Sequence, residues 1–85
     1  MQRFLYFYLM RNAPEAIRQV VPAHVQYWHG RSLPSYLGGP FADRTGGLIT
    51  FGATSLEDAK RTVEGDPFVR LRLVEQSWVK EWRVE

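Results

Sequence analysis

Residues Arg3 to Met10 read R-F-L-Y-F-Y-L-M. In an extended chain successive side chains point to opposite sides, so Phe4, Tyr6 and Tyr8 share one side. Leu5, Phe7 and Leu9 share the other. Both sides are apolar, and such a strand must be covered on both. Helices of the same chain can cover one side. In a chain of only 85 residues, a second subunit is the natural cover for the other.

Working outward, Asn12 is placed to cap a helix, with Glu15 three residues on and Pro14 in the first turn. The helix is expected to run to about His29 and to stop at Gly30 in the left-handed C′ position. Pro22 interrupts it and predicts a kink near Val20 or a fresh start with Pro22 as the first helical residue. Ile17, Val21, His24 and Trp28 recur at spacings that place them on one helical face. That is a packing face with a histidine in it. A half-buried imidazole needs a hydrogen-bond partner.

Beyond the helix, Ser35 to Leu37 reads as a short strand stopped by Gly38-Gly39-Pro40, and Gly46-Gly47 as a turn. Leu48 to Ala53 is the next strand, with Ile49, Phe51 and Ala53 on one side. Gly52 in it signals a bulge or a close backbone approach. Ser55 with Asp58 opens a second helix whose inner face is Leu56, Ala59 and Val63, ended by Gly65. Asp66-Pro67 is another helix-start signature, followed by a short turn through Phe68, Val69 and Leu71. The last strand spans Leu73 to Val84, with Trp78, Lys80, Trp82 and Val84 on one side.

Strand, helix, strand, strand, helix, strand is the α+β, ferredoxin-like βαββαβ order, an antiparallel sheet with two helices on one face. Residues 1–85 are expected to form a single domain. Its bare sheet face would be aromatic, which predicts a homodimer joined through the sheets.

Composition narrows the function. The net charge is +2, from nine Arg and two Lys scattered against nine acids. Nucleic-acid binders concentrate their basic residues on one face or stripe, so no nucleic-acid partner is expected. No apolar run approaches the ~20 residues of a membrane span, so no membrane partner is expected either. There is no cysteine, and His24 and His29 stand five apart, so neither a disulfide nor a metal site is expected. No phosphate loop or other cofactor motif is present, and no cofactor is expected. With no cysteine and no leader-like N-terminus, the expected location is the cytoplasm.

The helices of such a fold lie on one sheet face, so the first can meet the end of the second. That makes Asp66 the candidate partner of His24. A carboxylate accepting from an imidazole N–H fixes its tautomer and raises the basicity of the other nitrogen. On the residues alone two readings stand: His24 as a general base, or as a satisfied packing histidine. Asp66 is a good helix cap in either case, since a carboxylate has two oxygens.

Pro22-Ala23-His24-Val25, Gly39-Pro40, Ser55-Leu56-Glu57-Asp58-Ala59 and Asp66-Pro67-Phe68-Val69, in this order, resemble the YciI-like (YCII-related) family. The resemblance covers nearly the whole chain. It implies a ferredoxin-like fold, a dimer, and an active site with a His and an Asp, which are here His24 and Asp66. Tyr8, Gly39, Pro40 and Phe68 are then the expected substrate contacts. The expected function is a small dimeric enzyme of lyase or isomerase type, acting on a small carbonyl or aromatic-derived compound. The alternative is a non-catalytic dimeric module that binds a small molecule or a protein. The segment between Gly39-Pro40 and the third strand is shorter than in longer members, so the pocket rim differs.

Overall fold

The computed structural model describes residues 1–85. The elements are β1 (Gln2–Met10), α1 (Pro14–Gly30), β2 (Leu37–Pro40), β3 (Gly46–Ala53), α2 (Leu56–Glu64), α3 (Pro67–Arg70) and β4 (Val74–Glu81). The sheet order is β2-β3-β1-β4 and every neighbouring pair is antiparallel. This is a small α+β fold with a four-stranded sheet and three helices rather than two. The additional helix, α3, occupies the stretch read as a turn after Asp66-Pro67.

β1 holds an interior place in the sheet because both of its sides are apolar. Phe4, Tyr6 and Tyr8 are buried, and with Ile49 and Phe51 of β3 they meet Trp28, Ala59, Val63, Phe68 and Leu73. Its other side, Leu5, Phe7 and Leu9, is half-buried. There Phe7 pairs in register with Leu48 and Trp78. The Trp78 ring meets Phe7 edge-on at 5.4 Å, and Phe41 lies 5.1 Å from it. Trp78 and Trp82 remain 42% and 41% exposed, so this second face is aromatic and open.

Several local expectations are corrected. Asn12 does not cap α1: Ala13 is the N-cap, without a side-chain bond, because Pro14 takes the first helical position. Pro22 does not restart the helix, which is continuous across it. Proline removes only its own N–H, and Pro22 lies on the exposed face with Arg18 one turn back, also exposed. Gly30 does not adopt the left-handed conformation. No glycine does, and Ser32 takes that role with φ of 52°. The inner face of α1 carries Val20 in place of Val21, which is 40% exposed.

Gly38-Gly39-Pro40 does not stop β2 but forms it, opposite Ile49, Leu48 and Gly47. On a sheet edge the missing N–H of Pro40 can face away from the ladder. Gly46-Gly47 is the start of β3, not a turn. The turn lies before it, closed by Phe41 N–H donating to Gly46 O at 2.8 Å. Asp43 braces this turn by accepting from Thr45 N–H (3.0 Å) and Oγ1–H (2.6 Å), bonds that hold its carboxyl below the usual range. Gly52 does mark a close approach: its N–H donates to Pro34 O at 2.8 Å, and a Cβ there would lie 3.1 Å from the Pro34 ring. In α2, Ser55 accepts from Asp58 N–H as expected, but Leu56 is 42% exposed and Thr62 takes its inward place.

Candidate active site

α1 lies across the helix-side face of β1, which brings His24 to Tyr8 and Trp28 to Tyr6. The Tyr8 ring stands edge-on to the imidazole at 6.1 Å, and Tyr6 stacks on Trp28 at 6.1 Å. From the other side comes the joint between α2 and α3. Gly65 N–H closes α2 on Thr62 O (3.2 Å) and Asp66 N–H bonds Val63 O (3.0 Å). Asp66 then turns extended, φ −62° and ψ 128°, to become the N-cap of α3. Gly65 is needed because the Tyr27 phenol packs on it; a Cβ would lie 2.3 Å from that hydroxyl. Tyr27 O–H in turn donates to Thr62 O at 2.5 Å, tying α1 to α2.

Asp66 is fully buried. A buried carboxylate is stable only when its lone pairs are used, and here three donors use them. Phe68 N–H donates to Oδ1 at 2.9 Å. Trp28 Nε1–H donates to Oδ2 at 3.0 Å. His24 Nδ1 lies 2.9 Å from each oxygen. An ionised carboxylate only accepts, so the imidazole hydrogen belongs on Nδ1 and the lone pair on Nε2. Asp66 therefore serves as helix cap and histidine partner at once.

The His24 side chain keeps 12% of its surface in contact with solvent. Phe68 stacks on its face at 4.1 Å, 17° from parallel. Tyr8 lies over Gly47, where a Cβ would stand 2.4 Å from the phenol oxygen and 2.8 Å from Gly39 O. Burial, and next the negative charge of Asp66, push the Tyr6 and Tyr8 hydroxyls well above the ordinary tyrosine range. Both therefore remain O–H donors at neutral pH. Tyr6 O–H is buried with no partner.

Of the six residues expected at the site, His24, Asp66, Tyr8 and Phe68 form one contiguous cluster. Gly39 and Pro40 lie on exposed β2 and approach it only through Gly47 and the tip of Tyr8. The residue that sequence reasoning missed is Trp28, assigned there to packing. Its signal was its place one turn after His24 on the same face. Two surface grooves lie elsewhere, one between α2 and β4 and the other around Pro22, Val25 and His29. Neither is lined by a member of the cluster. No group of three His, Cys, Asp or Glu side chains is placed to hold a metal ion. No helix is long and apolar enough to cross a membrane.

Among solved structures, the chain is similar to 5-chloro-2-hydroxyhydroquinone dehydrochlorinase (TftG) from Burkholderia phenoliruptrix, in complex with 2,5-dihydroxybenzoquinone. The TM-score is 0.83 at 24% identity, over 95% of this chain and 93% of that one. A structural-genomics protein from Agrobacterium tumefaciens gives a TM-score of 0.55 at 20% identity, over 98% of this chain and 92% of that one. At these identities the likeness speaks for the fold. No protein of curated function matches the chain. The pattern of the YCII-related domain matches residues 1–83, and with it the fragments around His24 and Asp66 fall into place: the chain belongs to the YCII-related domain family.

Proposed function

We propose that the protein is a small lyase-type enzyme in which His24 is the general base and Asp66 orients it. The observation that carries this reading is the His24 Nδ1 contact, 2.9 Å to both oxygens of a carboxylate that is itself fully buried. Such a partner fixes the tautomer and steadies the imidazolium that forms when Nε2 takes a proton. Phe68 and Tyr8 supply an aromatic wall, and the Tyr8 hydroxyl, kept protonated, can donate to an oxygen of the substrate. Gly39 and Pro40 form the outer rim. The dehydrochlorinase likeness suggests the substrate class, a chlorinated hydroxyhydroquinone. In such a reaction the carbon bearing chlorine takes a proton as one substrate hydroxyl becomes a carbonyl. The hydroxyl para to that carbonyl then gives its proton to Nε2, its electron pair enters the ring, and chloride leaves with the C–Cl pair, giving a hydroxybenzoquinone.

In the same reading, two copies pack through the open sheet face formed by Leu5, Phe7, Leu9, Leu48 and Trp78. The test is anaerobic incubation with 5-chloro-2-hydroxyhydroquinone, measuring chloride release. His24→Ala should slow release by ~10²–10⁴-fold, the usual worth of a positioned base. No release above buffer from the wild-type chain, or full release from His24→Ala, would sink the proposal. One observation favours the second reading, a dimeric binding module without catalysis: both surface grooves lie away from His24. Saturable binding of the same compound without chloride release would decide for it.

A further inference from the structure

The geometry points to Trp28 as a positioning residue that acts on His24 through Asp66. This inference rests on the reading of His24 as the base. The indole is 1% exposed and wedged between rings, with Tyr6 stacked on it at 6.1 Å and Tyr36 at 6.3 Å. Phe51 lies against it at 5.6 Å. These contacts leave the ring little freedom, and they aim Nε1–H at Asp66 Oδ2, 3.0 Å away. Oδ2 is one of the two oxygens that face His24 Nδ1. Oδ1 is pinned in the same way by Phe68 N–H at 2.9 Å. The carboxylate is thus held at both oxygens by donors set in packed elements, and it meets Nδ1 squarely at 2.9 Å from each.

The consequence is chemical. A buried carboxylate keeps its charge through the hydrogen bonds it accepts. Without the indole N–H, Oδ2 faces aromatic carbon with one donor fewer. The pair then takes up one proton from water: Asp66 becomes a neutral acid that donates to Nδ1, and the imidazole's single hydrogen sits on Nε2. In that tautomer Nε2 cannot take a proton from a substrate. The indole N–H therefore selects the base-competent tautomer, a role its ring volume alone does not explain.

The test separates the N–H from the ring. Site-specific Trp28→β-(3-benzothienyl)alanine keeps the bicyclic shape and replaces N–H with sulfur. Trp28→Phe is the second variant, and 7-azatryptophan, which keeps the N–H, is the rescue. The readout is the ¹⁵N chemical shifts of His24 in histidine-labelled protein at pH 8, which report which ring nitrogen carries hydrogen. The Nδ1–H to Nε2–H ratio should fall at least threefold in both N–H-less variants and return with 7-azatryptophan. The kcat for chloride release should fall about tenfold with KM unchanged, as expected for one charge-assisted bond. A wild-type ratio in either folded variant overturns the clamp. So does exchange of the Trp28 indole N–H, in the unmodified protein, as fast as those of Trp78 and Trp82. The tautomer readout needs no substrate. A shifted ratio beside a fully active His24→Ala refutes the base and leaves the clamp; an unshifted ratio beside an inactive His24→Ala does the reverse.

Discussion

Asp66→Ala should be among the most destabilising single changes in this chain, and its size can be worked from the bonds it breaks. The substitution leaves two buried donors without acceptors, Phe68 N–H and Trp28 Nε1–H. Each buried donor left unpaired costs about 1–3 kcal/mol. The Phe68 bond is also the helix cap, so the cap is not counted again. His24 is partly solvated and can turn to water, adding little. The sum is about 2–6 kcal/mol, against about 5–15 kcal/mol for the whole fold of a small protein. Asp66→Asn keeps one acceptor oxygen and puts an NH₂ where the other stood. It can satisfy Phe68 or Trp28 but not both, so it should cost about 1–3 kcal/mol. At about 4–8 °C per kcal/mol for a domain of this size, the alanine variant should melt about 10–50 °C lower. Urea titrations followed by circular dichroism and by tryptophan fluorescence would measure both variants. A loss below about 1 kcal/mol for Asp66→Ala, or equal losses for the two, would refute the three-donor account of this carboxylate.

Alkaline pH should unfold the protein through Tyr6 and Tyr8. Their hydroxyls are held above the ordinary value, so the unfolded chain gives up its protons first. Their stabilisation is complete below pH ~10 and is lost as pH rises beyond it, by up to ~1.4 kcal/mol per pH unit for each tyrosine. Urea midpoints at pH 9, 10 and 11 should fall progressively, and Tyr6→Phe should flatten the decline by one proton; a pH-independent midpoint would contradict this. At pH 7 the same Tyr6→Phe change removes a buried hydroxyl that has no partner, so stability should hold or rise. Gly47→Ala places a Cβ 2.4 Å from the Tyr8 hydroxyl and 2.8 Å from Gly39 O. It should cost about 1–3 kcal/mol and move Tyr8 off His24, visible as loss of their cross-peaks in a nuclear Overhauser spectrum. Phe7→Glu puts a charge at the centre of the open sheet face; under the proposed packing of two copies, sedimentation velocity should show a dimer for the wild type and a monomer for the variant, and a monomeric wild type would refute that packing.

The strands were legible where alternation was unambiguous. Phe4, Tyr6 and Tyr8 share one side and Leu5, Phe7 and Leu9 the other, as a period of two requires; which side meets the helices was not legible, because both are apolar. Asp66-Pro67 was legible because a cap followed by proline is a local chemical signature. The errors fall where a tertiary partner overrides a local rule. Gly38-Gly39-Pro40 looks like a stop, yet an edge position beside β3 tolerates both the missing side chains and the missing N–H. Pro22 looks like a break, yet its lost bond faces solvent. Leu56 looks like core, but it is exposed, while Thr62 is buried with its hydroxyl donating to Asp58 O at 3.0 Å. The contact of His24 with Asp66 follows from topology, whereas nothing in the spacing of residues 28 and 66 shows that an indole N–H would complete it.

The register of β1 sets an order of events during folding. Phe4 pairs with Glu81 on one side and with Phe51 on the other. The first strand of the sheet, β1, is therefore flanked by the last, β4, across nearly the full length of the domain. Contacts of such separation close slowly. On the ribosome, R-F-L-Y-F-Y-L-M emerges before the other strands of its sheet and stays without one neighbour until Val74–Glu81 has followed. The most apolar segment of the protein has the longest wait for its hydrogen-bonding partner. Truncation before Val74 would leave it permanently exposed along one edge, a template for pairing with other chains.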